Sequence, residues 1–152
     1  MATIPKGPAE PFNPPREAKR DYLEAATQTY KKGAVLVMNA SGFVAEGGAD
    51  PDNIVGIAVR DGQNGAAAGD KTAEVYLALP HVLFIMNIGG AVALLQNQLG
   101  IKFGLIKEGD NWHVDTAEAV AVAVIIVDIL DPIADVNGRV VVKFLDSRTL
   151  WE

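Results

Sequence analysis

Two histidines, a few clustered carboxylates and one glycine-rich loop are the residues of this sequence that could do chemistry. Cysteine is absent, which excludes thiol catalysis, Cys-based zinc sites and disulfide scaffolds in one step. His81 follows Pro80 where a strand begins, and His113 lies between Trp112 and Val114. Neither has a second histidine or a carboxylate at the spacing of a metal site or catalytic triad, so both read as structural or surface residues. Asp128, Asp131 and Asp135 gather around one loop. A calcium loop needs denser oxygen ligands and a bidentate glutamate, so these read as solvated turn acids, a weak cation site at most. Ser41, in Asn39-Ala40-Ser41-Gly42-Phe43, lacks the G-x-S-x-G elbow that presents a serine nucleophile. Residues 65–72, GAAAGDKT, nearly match the phosphate-loop pattern, but Asp70 stands where the second glycine belongs. A carboxylate there repels the phosphate that backbone amides should cradle, and a strand follows in place of the required helix. The sequence therefore predicts no catalytic, cofactor or metal residue.

The elements that would position such residues are short strands divided by glycines. At 152 residues the chain is about one domain long, enough to bury roughly 68–70% of its unfolded surface without metal or disulfide. A net charge of −6 argues against a general binder of nucleic acid or anionic membrane. The start is Pro-rich and lacks the basic end and apolar core of a signal peptide. The longest apolar stretch, 119–127, falls far short of the ~18 residues of a membrane span. Both point to a soluble protein made in the cytoplasm.

Residues 30–60 set the rhythm: a polar break at Lys31-Lys32-Gly33, a strand over 34–38, a turn at 39–42 and a strand over 43–45. A loop through Pro51 then leads to a strand over 54–59, whose central Gly56 marks a bulge, a bend or the close approach of another chain. Further strands are predicted over 21–26, 73–79 and 81–88. Residues 91–99 are the one helix, stopped by Gly100. Residues 101–106 and 112–114 form a hairpin with Gly109 at its tip, and 119–130 pairs with 140–145 across the Asn137-Gly138 turn. The strand at 81–88 is apolar on both faces, Val82, Phe84, Met86 and Ile88 on one and Leu83 and Ile85 on the other. Both faces must be buried, in a barrel wall packed from outside or against another subunit. Trp151, near the C-terminal end, is expected to pack on the chain's own core.

Five of the eight prolines lie in the first 15 residues, Pro5, Pro8, Pro11, Pro14 and Pro15, with Phe12 as the segment's aromatic. Such a segment favours extended polyproline-like geometry. The expectation is an arm over 1–19, loose when free and ordered on a neighbour, followed by a single β-rich domain over 20–152. Pro5, Pro8, Pro11, Phe12, Pro14, Pro15 and Arg16 are its candidate contact residues, with Phe12 as the anchor.

The order of four stretches resembles the small head-decoration (cement) proteins of tailed bacteriophages: TYKKGAVLVMNASGFVAEGG, DPDNIVGIAVRDG, LGIKFGLIKEGDNWHVDT and DILDPIADVNGRVVVKFLDS. Lys32-Gly33, Gly56-Ile57-Ala58, Leu99-Gly100, Phe103-Gly104-Leu105, Trp112-His113-Val114-Asp115, Asp131-Pro132 and Gly138-Arg139-Val140 fall in sequence on the pattern's key points. The Pro-rich start has no counterpart in it. The resemblance implies a mainly β, small barrel-like or tulip-like antiparallel domain with no enzymatic activity and no cofactor. It also implies a homotrimer seated on the outer capsid surface of a virion, at threefold and quasi-threefold positions. There the trimer would clamp neighbouring major capsid protein subunits against the pressure of packaged DNA once the shell has expanded. On this reading Val82, Phe84, Met86 and Ile88 are the expected trimer interface, and the arm would reach the capsid or neighbouring decoration trimers. The competing expectation is a trimeric β-barrel module that binds a ligand or carbohydrate, or a small β enzyme. Against the enzyme, the Gly-Arg-Ser motif of trimeric dUTP pyrophosphatases is broken, since Val140 follows Gly138-Arg139. Against sugar binding, Tyr22, Tyr30, Tyr76, Trp112 and Trp151 are too scattered to mark one aromatic face.

Overall fold

The computed structural model describes residues 1–13 and 18–151. The strands are β1 (Glu10–Phe12), β2 (Lys19–Leu23), β3 (Val35–Met38), β4 (Val44–Glu46), β5 (Ile54–Ala58), β6 (Thr72–Leu77), β7 (Leu83–Asn87), β8 (Lys102–Glu108), β9 (Asn111–Asp115), β10 (Val124–Ile129) and β11 (Arg139–Phe144). They form two antiparallel sheets, one of six strands in the order β1-β7-β11-β10-β8-β9 and one of five in the order β2-β6-β5-β3-β4. The chain is mainly β, as predicted, but neither sheet closes into a barrel. Both contribute to one core, with Leu36, Ile54 and Ile57 from the smaller sheet and Phe84, Phe144 and Trp112 from the larger. Phe84 and Phe144 meet edge to face at 5.4 Å, a geometry that the ring quadrupoles favour.

The alternation of β6 sets its burial directly: Ala73, Val75 and Leu77 are buried, while Glu74 and Tyr76 between them are partly exposed. Gly56 marks both a bulge and a close approach. Opposite β3, Leu36 pairs with Gly56 and Val37 with Ile54, which leaves Val55 as the extra residue. A Cβ on Gly56 would stand 1.8 Å from the Tyr76 carbonyl oxygen of the neighbouring strand, so the approaching chain is β6 of the same molecule. The hairpin of β8 and β9 turns at Gly109, where φ is +64°.

The predicted helix over 91–99 is replaced by a single 3-10 turn at Gln96–Gln98. Leu94 exchanges backbone hydrogen bonds with 134–135, donating to the Asp135 carbonyl and accepting from the Ala134 amide at 2.9 Å each. That pairing fixes the first turn of the would-be helix as an extended bridge, so tertiary contacts override helix propensity. The strand expected from residue 119 begins at Val124, because the Glu118 carboxylate folds over the amides of Val120 and Ala121 and makes a turn. Trp151 packs on the core as expected, its indole donating to the Val55 carbonyl at 2.9 Å.

The N-terminal segment is extended, but it lies on its own domain. β1 is an edge strand paired to β7, a position where the missing amide of Pro11 is tolerated. Upstream, Ile4 donates to the Val136 carbonyl and Val136 to that of Ala2. Asn87, at the end of β7, accepts from the Gly7 amide and donates to the carbonyls of Pro5 and Asn137. Ala9 is buried in the core.

Candidate functional site

The side chains of β7 separate cleanly. Val82, Phe84, Met86 and Ile88 are at most 1% exposed, enclosed by the chain's own two sheets. The expectation that these four face other copies is corrected: they have no surface left to offer. The other face of β7 is only partly open, since Asn87 is buried beneath the N-terminal segment. Leu83 and Ile85 are half-buried, and antiparallel register places Phe12 of β1 opposite Leu83 and Val141 of β11 opposite Ile85. Ile125 of β10, also half-buried, stands beside Lys143 of β11. On the outer face of the six-stranded sheet Phe12, Leu83, Ile85 and Ile125 are therefore partly exposed apolar residues, while Val141 between β7 and β10 is buried at 1% exposure. Glu10, Asp128, Arg139 and Lys143 border them with both signs of charge.

Further apolar residues are exposed in and beside β10. Val127 is the extra residue of a bulge between Ile126 and Asp128. Gly100 donates to the Ile126 carbonyl at 2.8 Å, which brings Leu99 and Ile101 alongside β10. Leu95, Leu99, Ile101, Val127, Leu130 and Ile133 are between 37% and 47% exposed. Singly exposed apolar residues are ordinary, and these six add apolar surface to the segments in and around β10.

The predicted contact residues at the N-terminus divide. Pro5 and Pro8 are exposed, and Pro11 and Phe12 are half-buried in β1; Pro14, Pro15 and Arg16 lie outside the described residues. Phe12, the expected anchor, therefore belongs to the partly exposed apolar residues of the outer face.

Sequence spacing missed the surroundings of His113. The hairpin brings Glu108 to it: Nδ1 is 2.8 Å from Glu108 Oε1, and Nε2 is 3.3 Å from the Gly7 carbonyl. Glu108 also accepts from Lys6 Nζ at 3.1 Å and from the Gly90 amide. Burial works to raise the Glu108 pKa, but hydrogen bonds from His113, Lys6 and Gly90 outweigh it and hold the carboxyl below its ordinary value. The cluster ties the N-terminal segment to the hairpin. The signal was readable only as hairpin register, with Ile106 opposite His113 and Glu108 one step on.

The three aspartates around 128–135 are engaged locally. Asp131 holds Arg139 through both guanidinium and backbone, Asp135 accepts from the Ala2 amide, and Asp128 accepts from the Ile129 amide. Asp135 is buried, not solvated as expected. Among the described residues, no group of three or more His, Cys, Asp and Glu side chains could hold a metal ion. In the near-phosphate loop, Asp70 accepts from the Ala67 amide, so the carboxylate closes the loop on itself, and β6 follows. No helix among the described residues is long and apolar enough to cross a membrane.

A cavity of about 470 Å³ opens between the loop after β4 and the β8–β9 hairpin. Leu105, Ile106 and Trp112 line its apolar side, and Gly47, Gly48 and Ala49 form a wall of small residues. Asp50, Lys107, Asp115 and Glu118 also line it. Glu46 at the end of β4 clips the two sheets together beside it, accepting from Lys107 Nζ at 2.7 Å and from the Trp112 indole at 3.0 Å. Comparison with family models, with curated proteins and with solved structures finds no match.

Proposed function

We propose that this chain is a structural virion protein, a head-decoration protein that works as a homotrimer on the outside of an expanded phage capsid. The observation that carries the reading is the partly exposed apolar side of β7, Leu83 and Ile85, on the outer face of the six-stranded sheet. A β7 with Leu83 and Ile85 on its open side gains most when a second molecule covers them, because burial of apolar surface is the main drive to association. The mixed charges of Glu10, Asp128, Arg139 and Lys143 around these residues suit contact between identical copies, where each sign meets its opposite. The four stretches that resemble decoration proteins also coincide with strands and tight turns: Gly33, Gly100 and Gly109 all have positive φ.

The mechanism is mechanical. Copies joined through the outer sheet face present a rigid two-sheet body, and that body bridges adjacent major capsid protein subunits. The clamp forms only where expansion has brought those subunits to the right separation. Sedimentation of the purified protein at micromolar concentration is expected to show a trimer. Pull-down is expected to show binding to expanded capsids and much weaker binding to the unexpanded precursor. A monomer, or equal binding to both capsid forms, would refute the reading.

A second reading, a ligand-binding module, has one observation in its favour: the acid-rimmed cavity beside Trp112.

A further inference from the structure

The cavity between the β4 loop and the β8–β9 hairpin has a defined chemistry. Its volume, about 470 Å³, falls among the roughly 300–1,000 Å³ of small-ligand sites. Leu105, Ile106 and Trp112 supply apolar walls, and the small residues 47–49 leave room for a chain to lie against backbone. Four charged residues line it: Asp50, Lys107, Asp115 and Glu118. Lys107 is neutralised by Glu46 at 2.7 Å, which leaves three carboxylates without a cationic partner among the lining residues.

Two of these carboxylates are fixed in place. Asp115 Oδ1 accepts from the Ala117 amide at 3.0 Å, and Glu118 Oε1 accepts from Ala121 and Val120 at 2.9 and 2.8 Å. Those amides, Ala121 first, hold the Glu118 carboxyl below its ordinary pKa, so it remains an anion through the neutral range. Gly104 is required for the arrangement: a Cβ there would stand 2.4 Å from Cγ of Glu118 and 3.0 Å from the Ala121 carbonyl oxygen. Each of the two carboxylates retains an oxygen that these backbone amides do not use.

We infer that this cavity binds a short alkyl chain ending in a guanidinium or ammonium group, the stem against Leu105 and Trp112 and the head at Asp115, Glu118 and Asp50. The inference rests on the second reading of the cavity as a binding site. The same chemistry is offered by a free alkylamine and by an arginine or lysine side chain of a partner protein.

The test is a two-dimensional ¹⁵N NMR titration of the full chain with n-butylguanidinium, with pentan-1-ol as the neutral control. Saturable shifts of the Trp112 indole and the Gly47 and Gly48 amides are expected with the cation. They should weaken roughly tenfold in Asp115→Asn/Glu118→Gln, about the effect of two partly exposed charges, while the neutral variant keeps its turn-capping oxygens and its melting temperature. A third titration with acetyl-Ala-Arg-Ala-amide separates the sources: tighter binding than the free cation supports a partner side chain, weaker binding a free amine. Saturation by pentan-1-ol equal to that by the cation would keep the site but overturn its preference for cations. No saturable shift with any probe would remove the site itself.

Discussion

Glu24 is 1% exposed, and its carboxylate accepts from the Tyr30 hydroxyl at 2.9 Å and from the amides of Gln63 and Asn64. One residue thereby pins the loop between β5 and β6 to the strand region before β3. Glu24→Ala leaves those donors without their acceptor, and chemical denaturation should show a loss of roughly 2–4 kcal/mol. Burial first, then the bond to Glu24, pushes the Tyr30 phenol well above its ordinary value. A folded pKa above the unfolded one gives stability that is complete below the unfolded value. This contribution should therefore decline once pH climbs past about 10, where the unfolded phenol ionises. Glu108 has the opposite sign. Its folded pKa is depressed, so its contribution is present above about 4.3 and is lost as pH falls through the folded value. The Gly90 amide, which donates to Glu108, should keep its NMR shift down to about pH 4.3 and move below it, and Glu108→Gln should abolish that titration.

At the scale of the element, β7 divides packing from association within one strand. Phe84→Ala opens a hole in the core beside Phe144 and should cost about 3–5 kcal/mol in a denaturant melt. Ile85→Glu, one residue on, places a charge on the outer face of β7. Sedimentation should show the assembly lost while circular dichroism still shows a folded β chain, and any fall in melting temperature follows from the lost linkage to assembly. If Phe84→Ala abolished assembly without unfolding the chain, the assignment of the two faces would be reversed. The N-terminal segment makes a similar point. Removing residues 1–12 takes away β1 and leaves Asn87 and Glu108 short of partners, so melting should reveal a loss of roughly 2–4 kcal/mol. An arm that served only a neighbour would be deleted without that cost.

At the scale of the whole molecule, two open sheets around one core leave Leu83 and Ile85 on the outer face only partly covered by the described residues. If that face joins copies, unfolding and dissociation are linked, and the melting temperature should rise with protein concentration over the micromolar range. A melting temperature that ignores concentration, together with a single small sedimenting species, would leave the outer sheet face as ordinary surface.

The sequence by itself determined what local chemistry controls. Alternation in 72–77, the glycine turn at 109 and the Gly56 bulge were legible because period-two patterning and positive φ are properties of a few adjacent residues, whereas in β11 Val140, Val141 and Val142 are all buried and the alternation is lost. The local role of Asp70 lay within reach for the same reason, since it accepts from the Ala67 amide three residues away. Contacts between distant residues decided the rest. The apolar pattern of 91–99 suits a helix, and only the exchange of hydrogen bonds between Leu94 and 134–135 makes it a bridge. Val82 and Leu83 are equally greasy, and no local rule says which of two apolar faces meets the core; the position of the second sheet does. His113 found its carboxylate through hairpin register, and the cavity's three acids come from the loop after β4 and from the end of β9 with the turn that follows it. Turns and strand periodicity follow from neighbours in the chain, whereas the fate of 91–99, burial and charge pairing follow from neighbours in space, which only the folded arrangement supplies.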